Sequence, residues 1–346
     1  MGINNELTIV VYGIGGIGAT LGGWLSQKND NVYLLARGDN ARALKSNGLI
    51  LKNVVSDNIE TIKVNIIEDL NEIPNIDVVV ITVKNYDLEE VAKDIFSKLG
   101  DNLIVVGLQN GFENQKVLPK YFTKIIYAVV VQSGWVEEPG KFGTRGKGHL
   151  TLGTPENKNL EITEKIAKIL SPGIPTKTTE QFQDAAHSKL IMNLSNATFT
   201  LISSELKDDD AIFKLWKIFL NVYLEGVKVV KAAGYKEYDL KGLPSWNVME
   251  LGKNLDKEMA IKNFGRNLRY SWFNSMAQDM IHRKKNKSEI ESLTGYLVKL
   301  ADSLNIKIPY NRVIYKLSKR QFEKIPYQPL QVETVWEEIK KNLIKD

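Results

Sequence analysis

A chain of 346 residues, 43% hydrophobic and 25% charged, has the length and apolar content for two cores rather than one. It contains no cysteine, which excludes disulfides, thiolate metal sites and a cysteine nucleophile, and its three histidines, His149, His187 and His282, leave little for a histidine-rich metal site. A net charge of +5 gives no reason to expect a nucleic-acid or membrane partner.

The opening MGINNELTIV has neither the basic nor the long apolar segment of a secretory signal, and Glu6 spoils a myristoylation pattern. The longest apolar runs, such as 125–131, fall far short of the roughly 18 residues of a membrane span. A cytoplasmic protein is expected. From Leu7 onward short β-rich runs, LTIVVY, NVYLLA, IDVVVITV, NLIVVGL and KIIYAVVV, alternate with amphipathic helical patterns such as DLEEVAKDIFSKL at 87–99. That order predicts a doubly wound α/β domain, a parallel sheet wrapped by helices. Within it, 49–67 reads as two extra strands, GLILKNVV and IETIKVNII, and 141–153 reads as a hairpin. After SPGIPTKTTE the β runs almost vanish, and helical patterns occupy 181–202, 210–233, 265–283 and 288–304. The predicted domains are 1–179, α/β, and 180–346, all-helical. The tail at about 320–346 reads as a turn and a terminal amphipathic helix.

The first chemical signal is GIGGIG, which places Gly13, Ile14, Gly15, Gly16, Ile17 and Gly18 between an apolar strand and a helix. In a dinucleotide-binding unit Gly13 makes the tight turn, Gly15 admits a pyrophosphate close to the backbone, and Gly18 lets helix and sheet pack closely. The helix N-terminus offers unpaired N–H groups to the phosphates. At the end of the second strand stands Arg37, where a carboxylate would bind a ribose 2′-hydroxyl. A guanidinium grips a 2′-phosphate through parallel charged hydrogen bonds, so NADP(H) is favoured over NAD(H). The alternative leaves Arg37 as a solvated turn residue and gives the ribose to Asp39.

With these residues GIGGIG and LLARG, TVKNYDLEEV at 82–91, LQNGFEN at 108–114 and EPGKFGTRGKGHLTLG at 138–153 resemble, in order, the N-terminal signatures of the 2-dehydropantoate 2-reductases, or ketopantoate reductases. HSKLIMN at 187–193, NSMAQDM at 274–280, SEIESLTGYL at 288–297 and IPYNRVIY at 308–315 resemble the rest. The resemblance implies a Rossmann domain, a helical domain similar to that of 6-phosphogluconate dehydrogenase, and a cleft between them. It also implies hydride transfer from NADPH to the ketone of a 2-oxo acid in pantothenate synthesis, and a homodimer as is common in the family.

By the same resemblance Lys189 is the catalytic lysine. Ketone reduction builds negative charge on oxygen, and an ordinary ammonium, with a pKa of roughly 10.4, is protonated near neutrality and can meet it. Without the resemblance Lys189 would read as a surface lysine. Asn193, four residues on, shares its helix face and is implied to orient it or to bind substrate. Ser275 and Asp279 match the family's substrate-side serine and aspartate. Glu289 matches a glutamate near the cofactor, while Ser288 and Glu291 have capping-box spacing. Lys84 and Asn110 follow the ends of two strands; Lys84 is implied to touch cofactor and Asn110 both cofactor and substrate, although either could simply sit in a turn. His187, two residues from Lys189, points away from it on a helix and reads as a bystander.

Two departures bear on the substrate. Where the family has a second asparagine this chain has Ala197, with Asn196 one place early, about 100° round the helix. Trp135 stands where smaller residues are usual and would narrow the pocket near the cofactor. The segment 280–288 is two residues longer than is usual and reads as a solvated loop. The competing functions are therefore a paralogous NADPH-dependent reductase of another 2-oxo acid or ketone, and a non-catalytic NADP(H)-binding sensor.

Overall fold

A computed structural model describes residues 7–272, 274–282 and 287–345. The chain divides into two compact units, Met1–Gln183 and Asp184–Asp346.

The first unit carries strands β1 (Ile9–Tyr12), β2 (Val32–Leu35), β3 (Leu49–Asn53), β4 (Asn58–Ile62), β5 (Asn65–Ile67), β6 (Val78–Ile81), β7 (Ile104–Gly107), β8 (Ile125–Val131), β9 (Trp135–Glu138), β10 (Lys141–Thr144), β11 (His149–Gly153) and β12 (Thr176–Thr178). Eight of them form one sheet in the order β12-β11-β8-β7-β6-β1-β2-β5. From β5 to β8 every pairing is parallel, and β11 joins β8 antiparallel. β1 and β6 are buried at every position, as strands covered on both faces must be. Chain order reverses between β1 and β6, and an open α/β sheet binds ligands outside the carboxyl ends of its strands at such a place. The helices of this unit are α1 (Gly16–Ser26), α2 (Gly38–Asn47), α3 (Leu88–Leu99), α4 (Asn114–Val117) and α5 (Leu160–Leu170).

Two details differ from the sequence reading. The run IETIKVNII breaks at Lys63–Val64, so that β4 pairs with β3 in a small second sheet while β5 extends the main one. The expected hairpin at 141–153 is likewise divided between sheets. β10 turns back on β9 and runs parallel to β3, whereas β11 pairs with β8. The tight turn lies instead at Gly140, whose φ of +77° favours glycine.

The second unit is helical, with α6 (Phe182–Leu201) starting just before the boundary and followed by α7 (Asp209–Ala232), α8 (Trp246–Leu251), α9 (Lys257–Ser271), α10 (Ser275–Ala277), α11 (Thr294–Ser303), α12 (Pro309–Phe322) and α13 (Val332–Lys345). Phe199 of α6, Phe219 of α7, Phe264 of α9 and Trp272 form an aromatic core, with Phe199 edge-on to Trp272 at 5.4 Å between centroids. The pattern read over 265–283 is interrupted: α9 ends at Ser271, and the Asn274 side chain accepts the N–H groups of Met276 and Ala277, both at 3.0 Å, to start α10. A π-helical turn, Gln278–His282, follows. Of the loop read over 280–288, residues 283–286 lie outside the described residues, as does the opening 1–6. The helix read from 288 begins only at Thr294, because the Glu291 carboxylate accepts from the Tyr315 hydroxyl and pairs with Lys319, both at 2.8 Å, and caps nothing. The tail does end in an amphipathic helix, α13, which buries Val332, Val335 and Ile339.

Candidate active site

Between β1 and α1 the backbone dictates the residue types. Gly13 has φ +104°, and a Cβ there would press on Val83 beyond β6. A Cβ on Gly18 would run into the Gly13 carbonyl, and one on Gly16 into the Gly134 backbone. Gly15 differs: its backbone is extended, and a Cβ would enter open space. It precedes α1, whose first N–H groups receive no side-chain cap. The loop is fixed from outside by the Asn40 amide, which donates to the Ile14 carbonyl at 3.1 Å and accepts from the Gly140 N–H at 2.9 Å. Thr82 donates to the Gly13 carbonyl. Ile14 is buried in the core of this unit and Ile17, partly buried, packs against that core. The Trp135 indole lies against Gly143 of β10, on the small sheet.

Beside this loop, Arg37 Nη2 donates to the Tyr12 hydroxyl at 2.8 Å and lies 3.4 Å from Asp94 Oδ2. Tyr12 in turn donates to Asp94 Oδ2 at 2.7 Å. Lys98 bridges Asp94 at 2.8 Å and Asp69 at 2.6 Å. Burial of the Tyr12 phenol and its bond to Asp94 push its pKa up. Asp94 is partly desolvated, which opposes ionisation, yet hydrogen bonds from Lys98 and Tyr12 hold it below the usual carboxylate range. Asp39, the alternative ribose partner, is engaged with Arg42 on the exposed face of α2. Further along the edge, Gln109 donates to the carbonyls of Ile81 at 2.9 Å and Val83 at 3.1 Å, and Asn85 donates to the Asn110 carbonyl at 2.6 Å. These bonds tie together the loops carrying Lys84 and Asn110, both half-buried.

In the second unit α6 is an unbroken helix of 20 residues. At about 100° per residue, Asn193 lies about 40° round from Lys189, Thr200 about 20°, and Asn196 about 20° the other way. The four form one polar stripe. Ala197, at about 80°, is fully buried. The Asn196 amide is half-buried and makes no hydrogen bond among the described residues. Lys189 likewise has neither a hydrogen bond nor an ion pair among them. Burial pushes its pKa down to about 8, so the ordinary value assumed from sequence is corrected; the ammonium still predominates at neutral pH. The Thr200 hydroxyl, which donates to the Asn196 carbonyl at 2.7 Å, lies 3.2 Å from Asn274 Oδ1, beside the segment carrying Ser275 and the buried Asp279. Ser275 opens α10 while Asp279 lies in the π-helical turn, so they do not share the continuous helical pattern read over 265–283. Glu289 is buried in the bend before α11. His187 is fully buried, stacked on Tyr235 at 3.6 Å with Nε2 2.9 Å from the Tyr296 hydroxyl. Among the described residues no cluster of three or more histidines or carboxylates could hold a metal ion, and no helix is long and apolar enough to cross a membrane.

Residues 9–157 match the family model described as ketopantoate reductase PanE/ApbA, and residues 181–321 match its C-terminal counterpart. The chain belongs to the ketopantoate reductase family. Its members are oxidoreductases acting on a CH–OH group. The chain is 25% identical over 324 residues to a 2-dehydropantoate 2-reductase of Pyrococcus horikoshii, covering 90% of this chain and 97% of that one. A 2-dehydropantoate 2-reductase of Archaeoglobus fulgidus is 25% identical over 312 residues, 89% of this chain and 96% of that one. Among solved structures, a PanE/ApbA family ketopantoate reductase from Ralstonia eutropha JMP134 has a TM-score of 0.66 at 24% identity, covering 96% of this chain and 99% of that one. D-mandelate dehydrogenase, solved with NADH and anilino(oxo)acetate, has a TM-score of 0.70 at 18% identity, with coverage of 96% and 99%. Both share the ketopantoate reductase fold. Tyr12, Asp94 and Asn40 escaped the sequence reading; the i,i+4 spacing of Asp94 and Lys98 was the one visible sign of the charge network.

Proposed function

We propose that this ketopantoate reductase homologue reduces the ketone of a 2-oxo acid to a 2-hydroxy acid with NADPH, that 2-dehydropantoate is its substrate, and that it serves pantothenate synthesis. Residues 1–179 bind the cofactor and 180–346 the substrate, in a cytoplasmic homodimer. The observation that carries this reading is Lys189: half-buried on α6 and without a partner among the described residues, so that burial pushes its pKa down to about 8. The glycine loop fits a dinucleotide because the space over Gly15 is open beside uncapped N–H groups. Gly13, Ile14, Gly15, Gly16, Ile17 and Gly18 would hold the pyrophosphate, with Arg37 at the ribose and Lys84, Asn110 and Glu289 toward the nicotinamide.

When bound, reduced nicotinamide supplies a hydride. Reducing a ketone leaves negative charge on its oxygen, which a proton donor must meet. The Lys189 ammonium gives that oxygen a proton and later recovers one from water. Asn110, Asn193, Ser275 and Asp279 hold the substrate.

Ala197 and the offset Asn196 favour a second reading, a different 2-oxo acid, because the stripe presents its amide at another angle, three residues before Phe199 of the aromatic core. Purified protein mixed with NADPH and a panel of 2-oxo acids tests both. NADPH oxidation far faster with 2-dehydropantoate supports the first, and preference for another acid supports the second. Cofactor binding with no turnover of any carbonyl overturns both in favour of a sensor.

A further inference from the structure

We infer that Tyr12 is a positioning residue for the cofactor: backed by Asp94, it holds the Arg37 guanidinium in the orientation that meets a ribose 2′-phosphate. This rests on the reading that Arg37 recognises that phosphate. The Arg37 side chain is 59% exposed, and a long exposed arginine loses much rotamer freedom when a ligand fixes it. Here the fixing is done beforehand. Nη2 bonds to the Tyr12 hydroxyl at 2.8 Å, and the guanidinium lies 5.7 Å from the centre of the Tyr12 ring. Tyr12 ends β1 and is only 4% exposed. Its hydroxyl is fixed by Asp94 at 2.7 Å, Asp94 by Lys98 at 2.8 Å, and Lys98 by Asp69 at 2.6 Å. The anchor therefore runs from the sheet through α3 to the segment after β5.

The pairing leaves the right part of the fork available. Every hydrogen bond that Arg37 makes through its side chain uses Nη2, so Nε and Nη1 are open to a bidentate phosphate among the described residues. Asp94 does not cancel the site: with Arg37, Lys98 and Asp69 it forms a set of two cations and two anions, of net charge zero. A doubly charged phosphate would meet a preorganised cation rather than a bare carboxylate.

The test is the dissociation constant of NADPH and of NADH, read by fluorescence titration without turnover, for the wild type, Arg37→Ala, Tyr12→Phe and Asp94→Asn. Tyr12→Phe keeps the ring and removes the anchor. It is expected to weaken NADPH about fivefold and NADH by less than about twofold. Asp94→Asn, a partly exposed change on a helix that guards against misfolding of the first variant, is expected to weaken NADPH about twofold or more. By charge alone its effect would be the reverse, so tighter NADPH binding in Asp94→Asn overturns the inference. Equal loss of NADPH and NADH in Tyr12→Phe, or no loss of either, also overturns it. If Arg37→Ala leaves the NADPH to NADH ratio at its wild-type value, the reading of Arg37 fails first, and the inference with it.

Discussion

The edge of the first unit's sheet and the helical core of the second treat charge in opposite ways. Around Arg37 each ionised group has a partner: hydrogen bonds donated to Asp69 and Asp94 push Lys98 up, and the bond from Lys98 holds Asp69 down. Both shifts favour the charged forms. On α6 and α7 desolvation dominates, lowering Lys189 to about 8 and raising Glu225 to about 7. Both of those shifts favour the neutral forms. A site that must hold a fixed anion gains from locked charges, whereas a group that must give up a proton gains from a pKa near the working pH.

Lys189→Met attacks this contrast most directly. It should lower kcat by about 10²–10⁴ while leaving the NADPH dissociation constant within about twofold, since general acid help is of that size. Stopped-flow turnover and fluorescence titration check the two halves, and unchanged turnover removes Lys189 from its role. The pH profile sharpens the point. Reduction needs the ammonium, so its rate should fall about tenfold per unit as pH rises beyond about 8, and oxidation of the 2-hydroxy acid should not fall there. A reductive rate that stays flat to pH 10 would place the proton elsewhere.

On the paired side the matching test is steric. Gly15→Val puts a side chain into open space on extended backbone, so thermal unfolding should barely move while NADPH binding weakens at least about tenfold. Gly18→Ala should do the opposite first, costing about 1–3 kcal/mol of stability, because its Cβ meets the Gly13 carbonyl. If Gly15→Val binds NADPH normally, the open space is not the pyrophosphate seat.

Gly13, Gly16 and Gly18 were legible in the sequence because a backbone conformation or a close approach dictates the residue type. The same holds for β1, β2, β6, β7 and β8, buried on both faces and therefore continuous apolar runs. What sequence could not show was pairing at a distance. The strand ending at Ile62 and the one starting at Asn65 join different sheets, and β10 and β11 separate for the same reason. Ser288 and Glu291 have the spacing of a cap, but the carboxylate has a lysine and a tyrosine on α12 to bind instead. Tyr12 looked like one more apolar strand residue; its hydroxyl acquires meaning only when α3 brings Asp94 against it. Lys189 could be placed on a helix face from sequence, but its lowered pKa depends on burial that spacing does not encode.

The smallest effect separates the two regimes by stability rather than by turnover. Glu225, on α7, accepts the N–H groups of Tyr310 and Asn311 at 3.0 and 2.9 Å where α12 begins, yet burial raises its pKa from 4.5 to about 7. The folded chain then binds a proton that the unfolded chain releases between about pH 4.5 and 7. Stability from this group is complete below about 4.5 and is lost as pH rises through about 7, a span worth at most roughly 3 kcal/mol. Paired Asp94 has the reverse sign, since its lowered pKa stabilises at higher pH and fails on acidification. Urea unfolding of the wild type and Glu225→Gln at pH 5 and pH 7.5 isolates the term: the variant should lose less stability than the wild type on going from the lower to the higher pH. Equal losses would show that the hydrogen bonds at the start of α12 keep Glu225 ionised, and that charge in the helical core is compensated after all.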